Sequence, residues 1–412
     1  MCLQCPVSNK CESSVNKKIA QRMGEIAPFH VMDILAQGKV LEAQGRHIIH
    51  LEVGEPDFSA PPPIVQASIS ALQQGLTHYT PSLGLPALRS AVAQFYHDRY
   101  SIEVSAGQVA ITPGASGALQ LILGAIINPG DEVLMADPGY PCNRHFVRLF
   151  GGVDVGIATD HESGYQLNTQ LIEQSITAQT KAVMLASPSN PTGTLIAQDE
   201  LQAIAVLCQQ RGLLLIVDEI YLGLTYGIEE HTAAAYLADN EHVFVINSFS
   251  KYFGMTGMRA GWLLAPTAYM AAIDCQAQNF FLAASTPAQY GALAAFAPDT
   301  ISILEQRRAQ FQARRDFLLP ALQELGFKIK SVPEGAFYLY ADCSELTAPL
   351  AGDSFALCRD ILDKAGVAIT PGKDFGVYRQ EVHVRFAYTR NVEELRVAVE
   401  RLDAYLNANP TP

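Results

Sequence analysis

The chain has 412 residues, of which 49% are apolar and 17% charged, and its net charge is −13. That length exceeds what one hydrophobic core usually serves, so two domains are expected, and the apolar share excludes a disordered chain. The acidic balance excludes nucleic acid and anionic membrane as main partners, so an anionic ligand must be held by a few well-placed cations.

Cys2, Cys5 and Cys11 crowd the first residues. Cys2 and Cys5 have a C-x-x-C spacing, but no fourth ligand follows nearby, and the tract reads as a polar tail rather than a metal site. Cys142, Cys208, Cys275, Cys343 and Cys358 are scattered singly and read as small buried hydrophobes. With no basic-then-apolar leader and no run long enough to span a bilayer, the expected compartment is the cytoplasm.

Ile34, Leu35 and Leu41 stand at helical spacing, and a short strand is expected at 47–53, ending in Gly54-Glu55-Pro56-Asp57-Phe58. Three prolines at 61–63 interrupt regular structure, with Pro63 placed to open a helix at Ile64. A helix over 86–100 follows. Apolar runs at 109–112, 132–136, 153–158, 181–186, 213–217, 243–247 and 261–265 then read as strands, several separated by helical patterns, notably 115–127 and 198–211. This alternation predicts an α/β fold with a mostly parallel sheet covered on both faces, whose strand C-terminal ends form the ligand edge.

Gly114, Tyr140, Asn190, Asp218, Tyr221, Ser248 and Lys251 each fall at or just past the end of such a run. Asp218 directly follows Leu-Leu-Leu-Ile-Val, and a carboxylate buried there requires a cationic or strongly donating partner. Lys251 lies among Ser, Phe and Gly, with Arg259 eight residues on. A desolvated lysine amine of this kind can attack a carbonyl and hold a cofactor covalently. Read alone, it is a loop lysine like most others.

The segment 286–326 reads mostly as helix, with apolar spacing over 301–319 and Pro320 expected to kink or restart it. Beyond Phe327 a smaller α+β unit is expected, including strands near 336–340 and 381–387.

Taken in order, seven motifs resemble the class I/II aminotransferases, pyridoxal-phosphate enzymes of fold type I. They are Gly54–Phe58, Gly114-Ala115-Ser116-Gly117-Ala118, Asp137-Pro138-Gly139-Tyr140, Asn190-Pro191-Thr192-Gly193, Asp218-Glu219-Ile220-Tyr221, Ser248-Phe249-Ser250-Lys251 and Val384-Arg385-Phe386. The resemblance runs from about Ile26 to Leu406. It implies an N-terminal tail (1–25), a large cofactor-binding domain (61–299) with a seven-stranded sheet, and a small α+β domain (26–60 and 300–412).

By the same resemblance, Lys251 binds pyridoxal 5'-phosphate covalently and then moves the Cα proton. Asp218 pairs with the ring nitrogen, Tyr221 and Asn190 bond the ring 3-oxygen, and Tyr140 stacks on the ring. Ala115, Ser116, Ser248 and Arg259 hold the phosphate, with Tyr79 reaching it from a partner subunit of a homodimer with shared active sites. Arg385 takes the substrate α-carboxylate with help from Gly54 and Asn190. The implied activity moves an amino group from an L-amino acid (alanine, aspartate or a larger neutral one) to 2-oxoglutarate or pyruvate. Asn279–Leu282 holds no arginine for a second substrate carboxylate, which leaves Arg22 as a candidate. A C–S β-lyase on the same scaffold is the alternative. A non-catalytic effector domain attached to a DNA-binding module is disfavoured by the acidic charge and the short preceding segment.

Overall fold

The computed structural model describes residues 19–238, 240–347 and 352–408, so Cys2, Cys5 and Cys11 lie outside the described residues. Its strands are β1 (Ile49–His50), β2 (Val109–Thr112), β3 (Glu132–Asp137), β4 (Val153–Ala158), β5 (Thr180–Ala186), β6 (Leu214–Asp218), β7 (Val243–Ser248), β8 (Gly261–Leu264), β9 (Tyr338–Asp342), β10 (Val367–Ala368), β11 (Thr370–Pro371) and β12 (His383–Ala387).

Seven of them form one sheet in the order β2-β8-β7-β6-β5-β3-β4. β8 runs antiparallel to both neighbours, and every other pair is parallel. The reason for the unbroken apolar runs is visible along β6. Leu215 and Val217 enter the core on one face, while Leu214 and Ile216 enter a second core on the other. With both faces covered by helices, a period-two pattern of polar residues has no place. Helix Gly114–Ile126 packs on the second face through Leu119, Ile122 and Leu123, and helix Gln198–Arg211 on the first through Leu201, Ile204 and Cys208.

The remaining strands make two small sheets: β1 pairs parallel with β10, and β12 lies centrally between β11 and β9, antiparallel to both. The strand expected at 47–53 is therefore only two residues long. Its C-terminal continuation is held instead by Arg314, whose Nη1 and Nη2 each donate at 2.9 Å to the two oxygens of Asp57. Arg314 belongs to one helix, Pro298–Glu324, with Pro320 in its interior. The helix does not restart there. Buried Phe311, Arg314, Leu318 and Leu322 anchor the helix on both sides of the proline, and that packing outweighs the lost hydrogen bond. Of the five described cysteines, Cys208, Cys343 and Cys358 are buried, Cys142 is half-buried, and Cys275 is exposed, contrary to expectation. No helix among the described residues is long and apolar enough to cross a membrane.

Candidate active site

The C-terminal ends of β5, β6 and β7 and the start of helix Gly114–Ile126 open on a cavity of about 340 Å³, a volume within the usual range for small-molecule sites. Ala115, Ser116, Tyr140, Asn190, Asp218 and Tyr221 line it, as do Ser248, Lys251, Arg259, Gly54 and Arg385. Tyr79 does not. Its side chain is 81% exposed. Arg22 is exposed and also lies off the wall.

One end of the cavity is built for an anion. The first turn of helix Gly114–Ile126 leaves backbone N–H groups without helical acceptors, and the helix dipole adds partial positive charge there. Gly114 has φ +73°, and a Cβ on it would lie 2.6 Å from Arg259 Nη2, so the guanidinium reaches the turn only because residue 114 is glycine. Arg259 itself sits in the left-handed region at φ 52°, a strained conformation of the kind that clusters at ligand sites. The Ser248 hydroxyl lies 2.9 Å from Ser250 Oγ and accepts the Ser250 N–H at 3.1 Å, setting two hydroxyls at the same end.

Arg385, on β12, lines the same cavity. Its Nη1 donates to Asn190 Oδ1 at 2.8 Å, and its Nη2 to the Glu52 carbonyl at 2.5 Å and the Thr370 hydroxyl at 3.2 Å. Its Nε is buried with no acceptor among the described residues. A buried guanidinium N–H of this kind calls for an acceptor from a ligand. Tyr338 and Phe375 present their rings to the guanidinium, with centroids 4.3 and 4.8 Å away.

The titratable groups Lys251 and Asp218 share this wall. Lys251 Nζ donates to the Gly54 carbonyl at 2.6 Å. Burial, with some repulsion from Arg385 and Arg259, pulls its amine down to about 8, so a useful fraction is neutral and nucleophilic near pH 7. Asp218 is 5% exposed, and burial pushes its carboxyl up to about 6. The Ile220 N–H, donating to Oδ1 at 3.1 Å, is the one hydrogen bond recorded for that carboxylate, and no cation pairs with it among the described residues. The partner required for a buried carboxylate is thus not a protein side chain; the carboxylate faces the cavity. Tyr221 is buried, and its hydroxyl lies 2.7 Å from that of Tyr338.

Tyr338 was not singled out by the sequence, although it sits on an expected strand. A Cβ on Gly54 would fall 1.8 Å from the Tyr338 hydroxyl, so the glycine of the Gly54–Phe58 motif makes room for that tyrosine. Phe29, Val31 and Met32 line the cavity from the start of helix His30–Ala43, within a segment (28–33) whose resemblance to broad-range aminotransferases the sequence shows without marking any one residue of it as a wall residue. Helical periodicity marks such residues as core, and only the packing of that helix against the rest of the chain turns them toward the cavity.

Together, the fold and this wall define an enzyme that holds an anionic, ring-bearing carbonyl cofactor beside a lysine amine. The residues fit pyridoxal 5'-phosphate: an anion end for the phosphate, an unpaired buried carboxylate for a ring nitrogen, and hydroxyl and amide donors beside it.

Comparison with known proteins agrees. The aminotransferase class I and II family model matches residues 46–402. A valine–pyruvate aminotransferase of Mycobacterium tuberculosis is 36% identical over 389 residues, covering 94% of this chain and 98% of that protein. A probable aspartate/prephenate aminotransferase of Aquifex aeolicus is 35% identical, covering 94% and 98%. Among solved structures, an aminotransferase from Mycobacterium tuberculosis superposes with a TM-score of 0.90 at 36% identity, covering 95% and 99%. The aspartate aminotransferase from Thermus thermophilus with maleate gives 0.87 at 33% identity, covering 94% and 99%. The chain belongs to the class I and II aminotransferases, and it is a pyridoxal-phosphate-dependent aminotransferase of fold type I.

Proposed function

We propose that the enzyme transfers the amino group of alanine, aspartate or a larger neutral L-amino acid to pyruvate or 2-oxoglutarate, one substrate following the other in a single site. The observation that carries this reading is the buried Arg385, whose Nε has no partner among the described residues, on the wall of a cavity that Arg259 and the helix start also line. Two guanidinium groups on one wall suit a cofactor phosphate and a substrate α-carboxylate at once. The bound cofactor supplies a carbonyl carbon to hold the amino group and a ring to draw electrons from Cα.

The protein's own groups do the rest. Arg385 grips the α-carboxylate through parallel N–H bonds and thereby orients Cα. Lys251, with its amine poised at about 8, holds the cofactor and takes the proton from Cα as a general base. The Asp218 carboxylate holds a proton on the ring nitrogen. Asn190 commits its amide oxygen to Arg385, which leaves its NH₂ to serve the ring oxygen alongside Tyr221. Ala115, Ser116, Ser248 and Arg259 seat the phosphate, and Tyr140 covers the ring.

The apolar surface offered by Phe29, Val31 and Met32 supports neutral donors. The exposure of Tyr79 supports a homodimer in which it completes the partner's phosphate site. Residues 26–60 with 300–412 are proposed to form the small domain over a large domain at 61–299.

A half-reaction screen tests this reading. One amino acid added to holoenzyme should release a single equivalent of its oxo acid, and adding pyruvate or 2-oxoglutarate should restore the starting absorbance. Continuous release of ammonia and pyruvate from a cysteine conjugate would assign a β-lyase instead.

A further inference from the structure

We propose that Tyr338 is a positioning residue for the reaction: its hydroxyl donates to the Tyr221 hydroxyl, freeing the Tyr221 proton for the cofactor oxygen. This rests on the reading of Tyr221 given above. Tyr338 is 1% exposed and lies on the cavity wall. Its hydroxyl has one recorded hydrogen-bond partner, Tyr221 Oη at 2.7 Å. Each phenol carries a single proton, so only one member of the pair donates across that contact.

Two features choose the direction. The Arg385 guanidinium stacks on the Tyr338 ring at 4.3 Å, and a cation on the face of a phenol draws electron density from it and makes its O–H the better donor. Tyr338 is also held against Gly54, whose absent side chain leaves room for the hydroxyl, while the Gly54 carbonyl is already occupied by Lys251. With Tyr338 donating, Tyr221 has no acceptor for its own proton among the described residues and keeps it for a ligand oxygen. A hydroxyl that accepts one hydrogen bond donates a stronger one.

Sheet register explains how the contact arises. Tyr338 stands opposite Ala387 and Tyr340 opposite Arg385 on the antiparallel β9–β12 pair. Tyr338 and Arg385 are therefore diagonal neighbours on one face, within reach of long side chains. One tyrosine thus joins the arginine that binds the substrate carboxylate to the tyrosine that serves the cofactor.

The test uses holoenzyme variants and reads the pH midpoint of the bound cofactor's visible absorbance, together with kcat and KM. A donor to the cofactor oxygen stabilises the anion left when the Lys251 link loses its proton, so weakening that donor raises the midpoint. Tyr221→Phe should raise it clearly. Tyr338→Phe, which keeps the ring against Arg385, should raise it by about half a pH unit with KM changed less than about twofold. In the Tyr221→Phe background, Tyr338→Phe should add nothing. Placing 3-fluorotyrosine at 338, a more acidic phenol, should lower the midpoint. An unmoved midpoint in Tyr338→Phe beside a moved one in Tyr221→Phe overturns the proposal and leaves the reading of Tyr221 standing. So does a shift that persists without the Tyr221 hydroxyl. If Tyr221→Phe itself leaves the midpoint in place, the reading of Tyr221 falls, and the proposal with it.

Discussion

Arg385 Nη1 donates to Asn190 Oδ1 at 2.8 Å, tying β12 to the loop after β5 across 195 positions of sequence. The bond fixes one face of the guanidinium fork and spends the oxygen of the Asn190 amide. The orientation of both side chains toward the cavity follows from it.

A lysine cannot reproduce that fork. Arg385→Lys should raise KM for the amino donor about 30- to 100-fold, corresponding to about 2–3 kcal/mol for a lost charge-assisted bidentate contact. Cofactor content should stay at the wild-type level. Steady-state kinetics with the best donor decides it, and an unchanged KM would remove Arg385 from carboxylate recognition.

Lys251→Ala should reduce kcat by about 10⁴-fold or more, because both the covalent anchor and the proton carrier disappear. Borohydride reduction followed by mass spectrometry should show no cofactor attached to the variant. A stable adduct at another lysine would refute the assignment.

The depressed Lys251 amine makes a kinetic prediction for cofactor-free protein. Since only the neutral amine attacks, the rate of covalent cofactor capture should rise through a midpoint near pH 8. Stopped-flow absorbance between pH 6 and 10 measures it. A rate still climbing toward pH 10 would show that burial does not desolvate the amine.

Asp218 should reveal a trade between stability and activity. Its carboxyl is raised to about 6 in the folded protein, so its ionisation costs no stability below the ordinary carboxylate range, the cost builds from about pH 4 to about pH 6, and it stays constant above that. Asp218→Asn should therefore stabilise cofactor-free protein by about 1–3 kcal/mol at pH 7.5, with the gain fading by pH 4. The same variant should lose about 10²- to 10³-fold in kcat, as expected when a charge aimed at the reacting system is removed. Paired melting curves and kinetics check both halves. A variant with near-normal turnover would take Asp218 out of the mechanism.

The Asp57–Arg314 pair should carry structural weight. Arg314 is 3% exposed, and removing its partner leaves a buried charge half-satisfied. Asp57→Asn should cost about 2–4 kcal/mol in denaturant unfolding. It should also loosen the segment that carries Gly54. Stability within about 0.5 kcal/mol of wild type would contradict the contact.

The seven strands of the large sheet were legible because most are apolar on both faces and bounded by turn residues, so period and length agree; the edge strand β4, with Asp154 and a partly exposed face, is the exception. Their ends were legible within a residue or so for the same reason. The antiparallel direction of β8 was not, since an apolar run carries no sign of its direction. The unbroken helix through Pro320 was also hidden. Proline's local cost is visible in the sequence, whereas the packing of Leu318 and Leu322 that overrides it is not.

The amino-acid sequence by itself set Asp218 and Lys251 just past the ends of apolar runs, where charge is costly. The resemblance of seven ordered motifs to the class I/II aminotransferases then implied their roles and that of Arg385. Only the tertiary structure decided which of their neighbours complete the site. Tyr338, Phe29 and Met32 look like ordinary core residues in one dimension. They reach the cavity because sheet register sets Tyr338 diagonal to Arg385 and because the start of helix His30–Ala43 packs against the cavity wall. Register and docking are long-range consequences of burying apolar surface, and no local pattern encodes them.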